Sequence, residues 1–94
     1  VPTEPVPPFV PDDSAGYLYT QVADYLERRI RAGEYPPGGR LPNARDLGGE
    51  LGVAEHTVRH AERILADHGL LVIFAAKGCY VRPKGNWRRR PRKR

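Results

Sequence analysis

Cysteine occurs once, at Cys79, methionine is absent, and the large aromatics are few: Trp87 is the one tryptophan and there are two phenylalanines. A lone cysteine excludes an internal disulfide and any zinc site built from clustered cysteines. The longest unbroken apolar run is the seven residues Leu70–Ala76, whereas a membrane-spanning helix needs about 20. Residues 1–11 carry neither a basic start nor an apolar stretch, so no secretory signal is expected and the simplest compartment is the cytoplasm. Apolar side chains make up 39% of the 94 residues, below the roughly 45–50% usual for globular domains, a range that also counts glycine. Such a chain has room for one modest core and is too short for the deep cleft of a typical enzyme.

What is plentiful is basic charge, and it is unevenly placed. The net charge is +5. Residues 1–13 carry Glu4, Asp12 and Asp13, residues 14–81 balance eight basic against eight acidic side chains, and residues 82–94 hold eight basic ones and no acid. Five of the ten prolines fall in residues 1–11. The expected organisation is a flexible proline-rich leader over 1–13, a folded domain over 14–82 and a basic, disordered tail over 83–94. Trp87-Arg88-Arg89-Arg90-Pro91-Arg92-Lys93-Arg94 has nothing apolar to bury and repels itself, which suits an arm for a polyanion such as nucleic acid. Arg88, Arg89 and Arg90 are its candidate contacts; the plain alternative is a solubilising tail. No amphipathic helix accompanies the run, so a membrane surface is disfavoured.

In the middle, Leu18, Val22, Leu26 and Ile30 recur every four residues with Tyr25 beside them, one apolar face of a helix from Tyr17 to about Ala32. Asp13 or Ser14 is the expected cap and Gly33 the stop. Tyr35-Pro36-Pro37-Gly38-Gly39 is a turn, and Arg40-Leu41-Pro42 an extended piece that drops Leu41 into the core. Asn43 caps a short helix over Ala44–Leu51, ended by Gly52. A third helix runs from about Glu55 to Asp67, with Val58, Ala61, Ile64 and Leu65 inward and Gly69 as its stop. Leu70–Phe74 and Cys79–Arg82 read as paired strands joined by a tip over Ala75–Gly78. Two helices joined by a short glycine-containing turn form a helix-turn-helix. With the hairpin behind them, the expected fold is α+β, a winged helix-turn-helix.

Several short blocks stand in a familiar order: Tyr19, Gln21-Val22-Ala23, Pro37-Gly38, Arg40-Leu41-Pro42, Arg45-Asp46-Leu47, Leu51-Gly52-Val53, Thr57-Val58-Arg59 and Gly69-Leu70-Leu71. Over about residues 17–82 the chain resembles the N-terminal domain of GntR-type bacterial transcription regulators. The resemblance implies a third helix, about 54–67, in the DNA major groove. It also implies operator contacts from Arg45, Ala54, Glu55, His56, Thr57 and Arg59, and a wing tip over Ala75–Gly78 at the minor groove. The family's effector-binding C-terminal domain has no counterpart in these residues. The chain departs from the pattern at Asn43 and Ala44, where Ser and Glu are usual, at Ala54, which lacks a capping hydroxyl, and at Glu55, where Arg is common. On the wing, Ile73, Phe74 and Ala76 replace more polar residues and a glycine.

Each candidate has a plainer reading beside the functional one. Arg59 has the donor fork that pairs with guanine O6 and N7 or clamps a phosphate; otherwise it is a solvated helix arginine. Arg45 reaches a phosphate or pairs with Asp46 or Glu50. Asn43 and Thr57 offer short polar groups to the backbone or to DNA. His56 and His60, at i and i+4, share a helix face, but no third ligand is placed by the sequence and HExxH is absent, so DNA or solvent is expected there and no metal. Lys77 and Gly78 make a plausible wing finger or an ordinary turn. Cys79 is expected as a half-buried strand residue, and Trp87 as a loosely packed aromatic or a base-stacking one. Glu55 either complements the helix dipole or accepts from a cytosine amino group.

The expected function is thus a non-enzymatic, sequence-specific regulator of transcription acting as a repressor, with double-stranded DNA as partner and no cofactor. In isolation a monomer is expected, pairing on DNA or through a further domain. The alternative is a winged helix that binds protein and only weakly, non-specifically, nucleic acid.

Overall fold

The structure, a computed structural model, describes residues 8–11 and 17–87. Chain order is α1 (Leu18–Arg31), α2 (Ala44–Leu51), α3 (Glu55–Asp67), β1 (Leu71–Phe74), β2 (Gly78–Val81) and a 3-10 turn over Lys84–Asn86. This is the α+β winged helix-turn-helix that the periodicity predicts.

On α1, Val22, Leu26 and Ile30 are buried together with Ala23 and Tyr25. Tyr17 occupies the N-cap and its side chain makes no capping bond; Asp13 and Ser14, the expected caps, lie outside the described residues. The C-terminus closes as expected: Gly33 has φ 87°, and the Glu34 N–H donates to the Arg29 carbonyl at 3.1 Å, which satisfies an otherwise orphaned acceptor. On α2, the Asp46 N–H donates to Asn43 Oδ1 at 2.8 Å, the cap the sequence predicts. The turn into α3 is tight: a Cβ on Gly48 would lie 2.7 Å from the Val53 carbonyl oxygen.

The buried stripe of α3 is Val58, Ala61, Glu62 and Leu65. Ile64, expected within it, is only partly buried at the edge of the core. Glu62 instead lies inward, 6% exposed, facing Cys79, which is 7% exposed. The Cys79 thiol donates to the Glu62 carboxylate. Burial pushes the Glu62 carboxyl above its ordinary value of 4.5, with the thiol bond and Arg59 pulling the other way. Burial and the neighbouring carboxylate push the Cys79 thiol up to about 12. A thiol so placed stays protonated and is a poor nucleophile.

β1 and β2 pair antiparallel, Leu71 with Val81 and Phe74 with Gly78. The other edge of β2 is also used. The Gly38 N–H donates to Val81 O and the Val81 N–H to Gly39 O, both at 2.8 Å, and the Leu41 N–H donates to Cys79 O at 2.9 Å. The extended piece before α2 is thus stitched to the wing, and Leu41 is 2% exposed.

The packed region runs five residues past the boundary expected at residue 82. Trp87 Nε1–H donates to the Arg82 carbonyl at 2.7 Å, the Arg31 guanidinium lies 5.4 Å over its ring, and the ring rests against the core. Trp87 is therefore a closing contact and not a loose aromatic. At the other end Phe9, within the expected leader, meets Tyr25 edge to face at 5.3 Å. A further clasp is Arg29, which lies over the rings of Tyr25 and Tyr35 and pairs with Glu34 at 3.2 Å and Glu50 at 2.7 Å. Glu50 is thus the partner of Arg29 and not of Arg45.

Two outcomes follow for stability. Gly69 has φ 80°, and a Cβ there would sit 1.9 Å from the Asn86 carbonyl oxygen. Gly69→Ala is expected to cost more than about 1 kcal/mol in urea unfolding, because both the backbone and the turn must shift. Glu62, with its folded-state pKa raised, gives its full contribution below the ordinary value of 4.5 and loses it as pH rises through the raised value. Unfolding curves of the wild type should therefore weaken over that window, and Glu62→Gln should remove the dependence.

Candidate nucleic-acid interface

Burying Val58, Ala61 and Leu65 turns the opposite side of α3 outward, so Glu55, His56, Arg59 and His60 are exposed and Thr57 is half-buried. Ala54 is the N-cap and supplies no side-chain bond. Glu55 opens the helix, one turn before Arg59, and the two are paired. Arg59 Nε donates to Glu55 Oε2 at 3.0 Å and Arg59 Nη2 donates to the same oxygen. Both groups keep substantial exposure, 59% for the Arg59 side chain and 43% for that of Glu55. The bond to Glu55 and its charge raise the Arg59 pKa above its already high ordinary value, so Arg59 is a permanent cation.

His60 stacks on Tyr19, ring centroids 3.8 Å apart and nearly parallel, and Tyr19 stacks in turn on Tyr17 at 5.5 Å. This ladder fastens the start of α1 to the outer face of α3. His60 therefore presents an edge and not a free ring, and Tyr19 enters the site by a contact that the sequence signals only as part of the block around Gln21. Among the described residues no group of three His, Cys, Asp or Glu side chains is placed to hold a metal ion.

Arg45 is exposed in the first turn of α2, and no ion pair engages it among the described residues. Asn43 Oδ1 is committed to its cap, which leaves its amide nitrogen as the group facing outward chemistry. On the wing, the Lys77 N–H donates to Phe74 O at 3.0 Å. Ala76 holds φ 65°, a left-handed conformation usually left to glycine. Ile73 and Phe74 are 44% and 48% exposed, and Phe74 meets Tyr80 edge to face at 5.7 Å. Arg40, which the sequence marks only as part of the extended Arg40-Leu41-Pro42 block, bridges to Tyr80, and its guanidinium lies against Gly78, where a Cβ would meet Nε at 2.8 Å. It adds a second cation beside Lys77. Arg88, Arg89 and Arg90 lie outside the described residues. No helix among the described residues is long and apolar enough to cross a membrane.

The family model for bacterial regulatory proteins of the gntR family matches residues 18–81. The chain is 44% identical over 64 residues to the HTH-type transcriptional regulator Rv1152 of Mycobacterium tuberculosis, covering 68% of this chain and 50% of that protein. It therefore spans half the length of that relative. YtrA from Sulfolobus acidocaldarius, a GntR-family transcription factor, superposes with TM-score 0.71 at 34% identity, covering 81% of each chain. AraR(DBD) in complex with operator ORX1 superposes with TM-score 0.68 at 28% identity, covering 76% of this chain and 86% of that one. With its element order, its wing and its sequence blocks in agreement, the chain belongs to the GntR family of bacterial regulatory proteins.

Proposed function

We propose that the chain is a sequence-specific, DNA-binding regulator of transcription, with α3 in the major groove. The observation that carries this reading is the exposed side of α3, where Glu55, His56 and Arg59 stand on a helix whose other side is locked into the core. A helix so presented fits the major groove, and its first two turns reach the base edges. Arg45 and the Asn43 amide flank it at the start of α2, Ala54 lets the backbone come close, and Thr57 offers a hydroxyl. The wing tip, with Lys77, Gly78 and Arg40, lies over the backbone or minor groove. AraR(DBD), a similar fold, is described in complex with an operator, which supports the same mode of docking here.

Residues 14–81 are charge-balanced, so sequence-independent attraction falls to residues 82–94, including Arg88, Arg89 and Arg90. Residues 1–13 act as a leader and 83–87 close the domain. The chain works in the bacterial cytoplasm on the nucleoid, without enzymatic activity, and represses by occupying its site. By itself it is a monomer that pairs on a two-half-site operator. The exposed Ile73 and Phe74 favour a second reading, in which the wing binds protein.

Deleting residues 88–94 removes six basic side chains. The slope of log affinity against log salt should fall by several units, since each neutralised phosphate adds about −0.9. An unchanged slope would take the tail off the DNA. Arg59→Ala should cost about 1–3 kcal/mol on the preferred duplex and relax discrimination at one or two base pairs. Loss of nothing on any duplex would favour the protein-binding wing.

A further inference from the structure

Glu55 is the anomaly of this surface, an acid on a helix that is to approach phosphates. Its bond to Arg59 is lopsided in an informative way. Both donors come from one edge of the guanidinium, Nε and Nη2, and both end on Oε2. Among the described residues this leaves the terminal Nη1/Nη2 edge of Arg59 and the Oε1 atom of Glu55 without partners. Brought to one edge, the groups these bonds leave over would form a row: two donors, then an acceptor.

The major-groove edge of a G·C pair is the complement of that row. It offers guanine N7 and O6 as two adjacent acceptors and then the cytosine N4 amino group as a donor. An A·T pair offers acceptor, donor, acceptor, which sets the adenine amino group against an arginine donor. Resting on the DNA-binding reading above, we propose that Glu55 and Arg59 read one G·C base pair as a single unit, and that Glu55 is the residue that sets specificity. Arg59 takes N7 and O6, and Glu55 Oε1 accepts from N4.

Glu55 acts a second time, against the wrong ligand. A free arginine at the start of a recognition helix binds any phosphate. A phosphate at Arg59 would bring its negative charge beside the Glu55 carboxylate, whereas the base edge is neutral and carries no such repulsion. The acid thus lowers affinity for the backbone while holding the fork in the orientation that the base requires. Specificity gained by penalising the competitor is the usual alternative to adding contacts.

The test is selection of duplexes from a random pool by the full chain, followed by competition binding on the selected duplex and its variants. The base pair read by Arg59 is the one whose preference disappears in Arg59→Ala. There, the wild type should prefer G·C over A·T by about ten- to a hundredfold, and 7-deazaguanine, which lacks the N7 acceptor, should weaken binding about tenfold. Glu55→Ala should bind random duplex several-fold more tightly and lose most of the preference for G·C. Glu55→Gln, which keeps an acceptor without the charge, should retain part of the preference while gaining the random-duplex affinity. Both side chains are exposed, so Arg59→Ala should unfold close to the wild type and the two Glu55 variants only slightly below it, by the lost interaction with the α3 N-terminus.

If Glu55→Ala tightens binding to every duplex and keeps the ratio, Glu55 is a general repulsive charge and the proposal is overturned, while DNA binding by α3 stands. A preference for A·T at the Arg59 position overturns it as well. Failure of the wild type to bind any duplex overturns both this proposal and the reading on which it rests.

Discussion

The site depends on the rotational setting of α3. Val58, Ala61 and Leu65 are wholly buried, and a helix held by three inward side chains over two turns cannot roll about its axis without opening the core. Burying Val58 or Leu65 contributes about 1.5–3 kcal/mol each, and the Ala61 methyl less, so a roll that exposed either of the larger two would cost a large part of a small domain's stability. The outward positions follow from the 3.6-residue period: once 58, 61, 62 and 65 face in, 56, 59 and 63 face out, and 55, one turn before 59, is left exposed at the open start of the helix. The Tyr19–His60 stack then fastens the outer side to α1. Position on this helix is decided by the core and chemistry by what is left outside.

The wing is held by the same economy of contacts. β2 is the middle strand of three segments, with β1 on one edge and Gly38–Leu41 on the other. The two-sided bonding fixes Arg40 relative to the hairpin tip, which explains why an arginine distant in sequence stands beside Lys77 and Gly78. The tip itself is less favoured, since Ala76 holds a left-handed conformation that costs a non-glycine residue about 1–2 kcal/mol. Strain thus sits at the tip of the wing and backbone bonding at its base.

Much of this was legible in the residues. The four-residue recurrence of Leu18, Val22, Leu26 and Ile30 announced α1, and Asn43 and Gly52 marked the ends of α2, because caps and left-handed stops are local chemistry. What escaped was set by tertiary packing. Glu62 occupies a position on the buried stripe of α3, but an acid there reads as solvated until the Cys79 thiol, supplied by another element, is placed against it. Trp87 sits among arginines, and only the folded chain reveals the Arg82 carbonyl that receives its indole N–H. Glu55 and Arg59 stood at i and i+4, a spacing that allows pairing, yet the edge of the guanidinium that Glu55 takes is a matter of rotamer and not of spacing.

The placement of Glu55 also resolves a local problem of the helix. Ala54 cannot cap, so the first-turn N–H groups of α3 look toward solvent with the positive end of the helix dipole behind them. A carboxylate at the first helical position offsets that partial charge, and the same carboxylate holds Arg59. One side chain thereby serves the helix end and the arginine together, and it offsets the charge of Arg59. Residues 14–81 are balanced in charge, and every charged side chain in residues 82–94 is basic. In the proposed function, attraction and discrimination thus fall to different parts of the chain. Such a division lets affinity be tuned by salt and by the tail while the choice of base pair stays with a rigid helix.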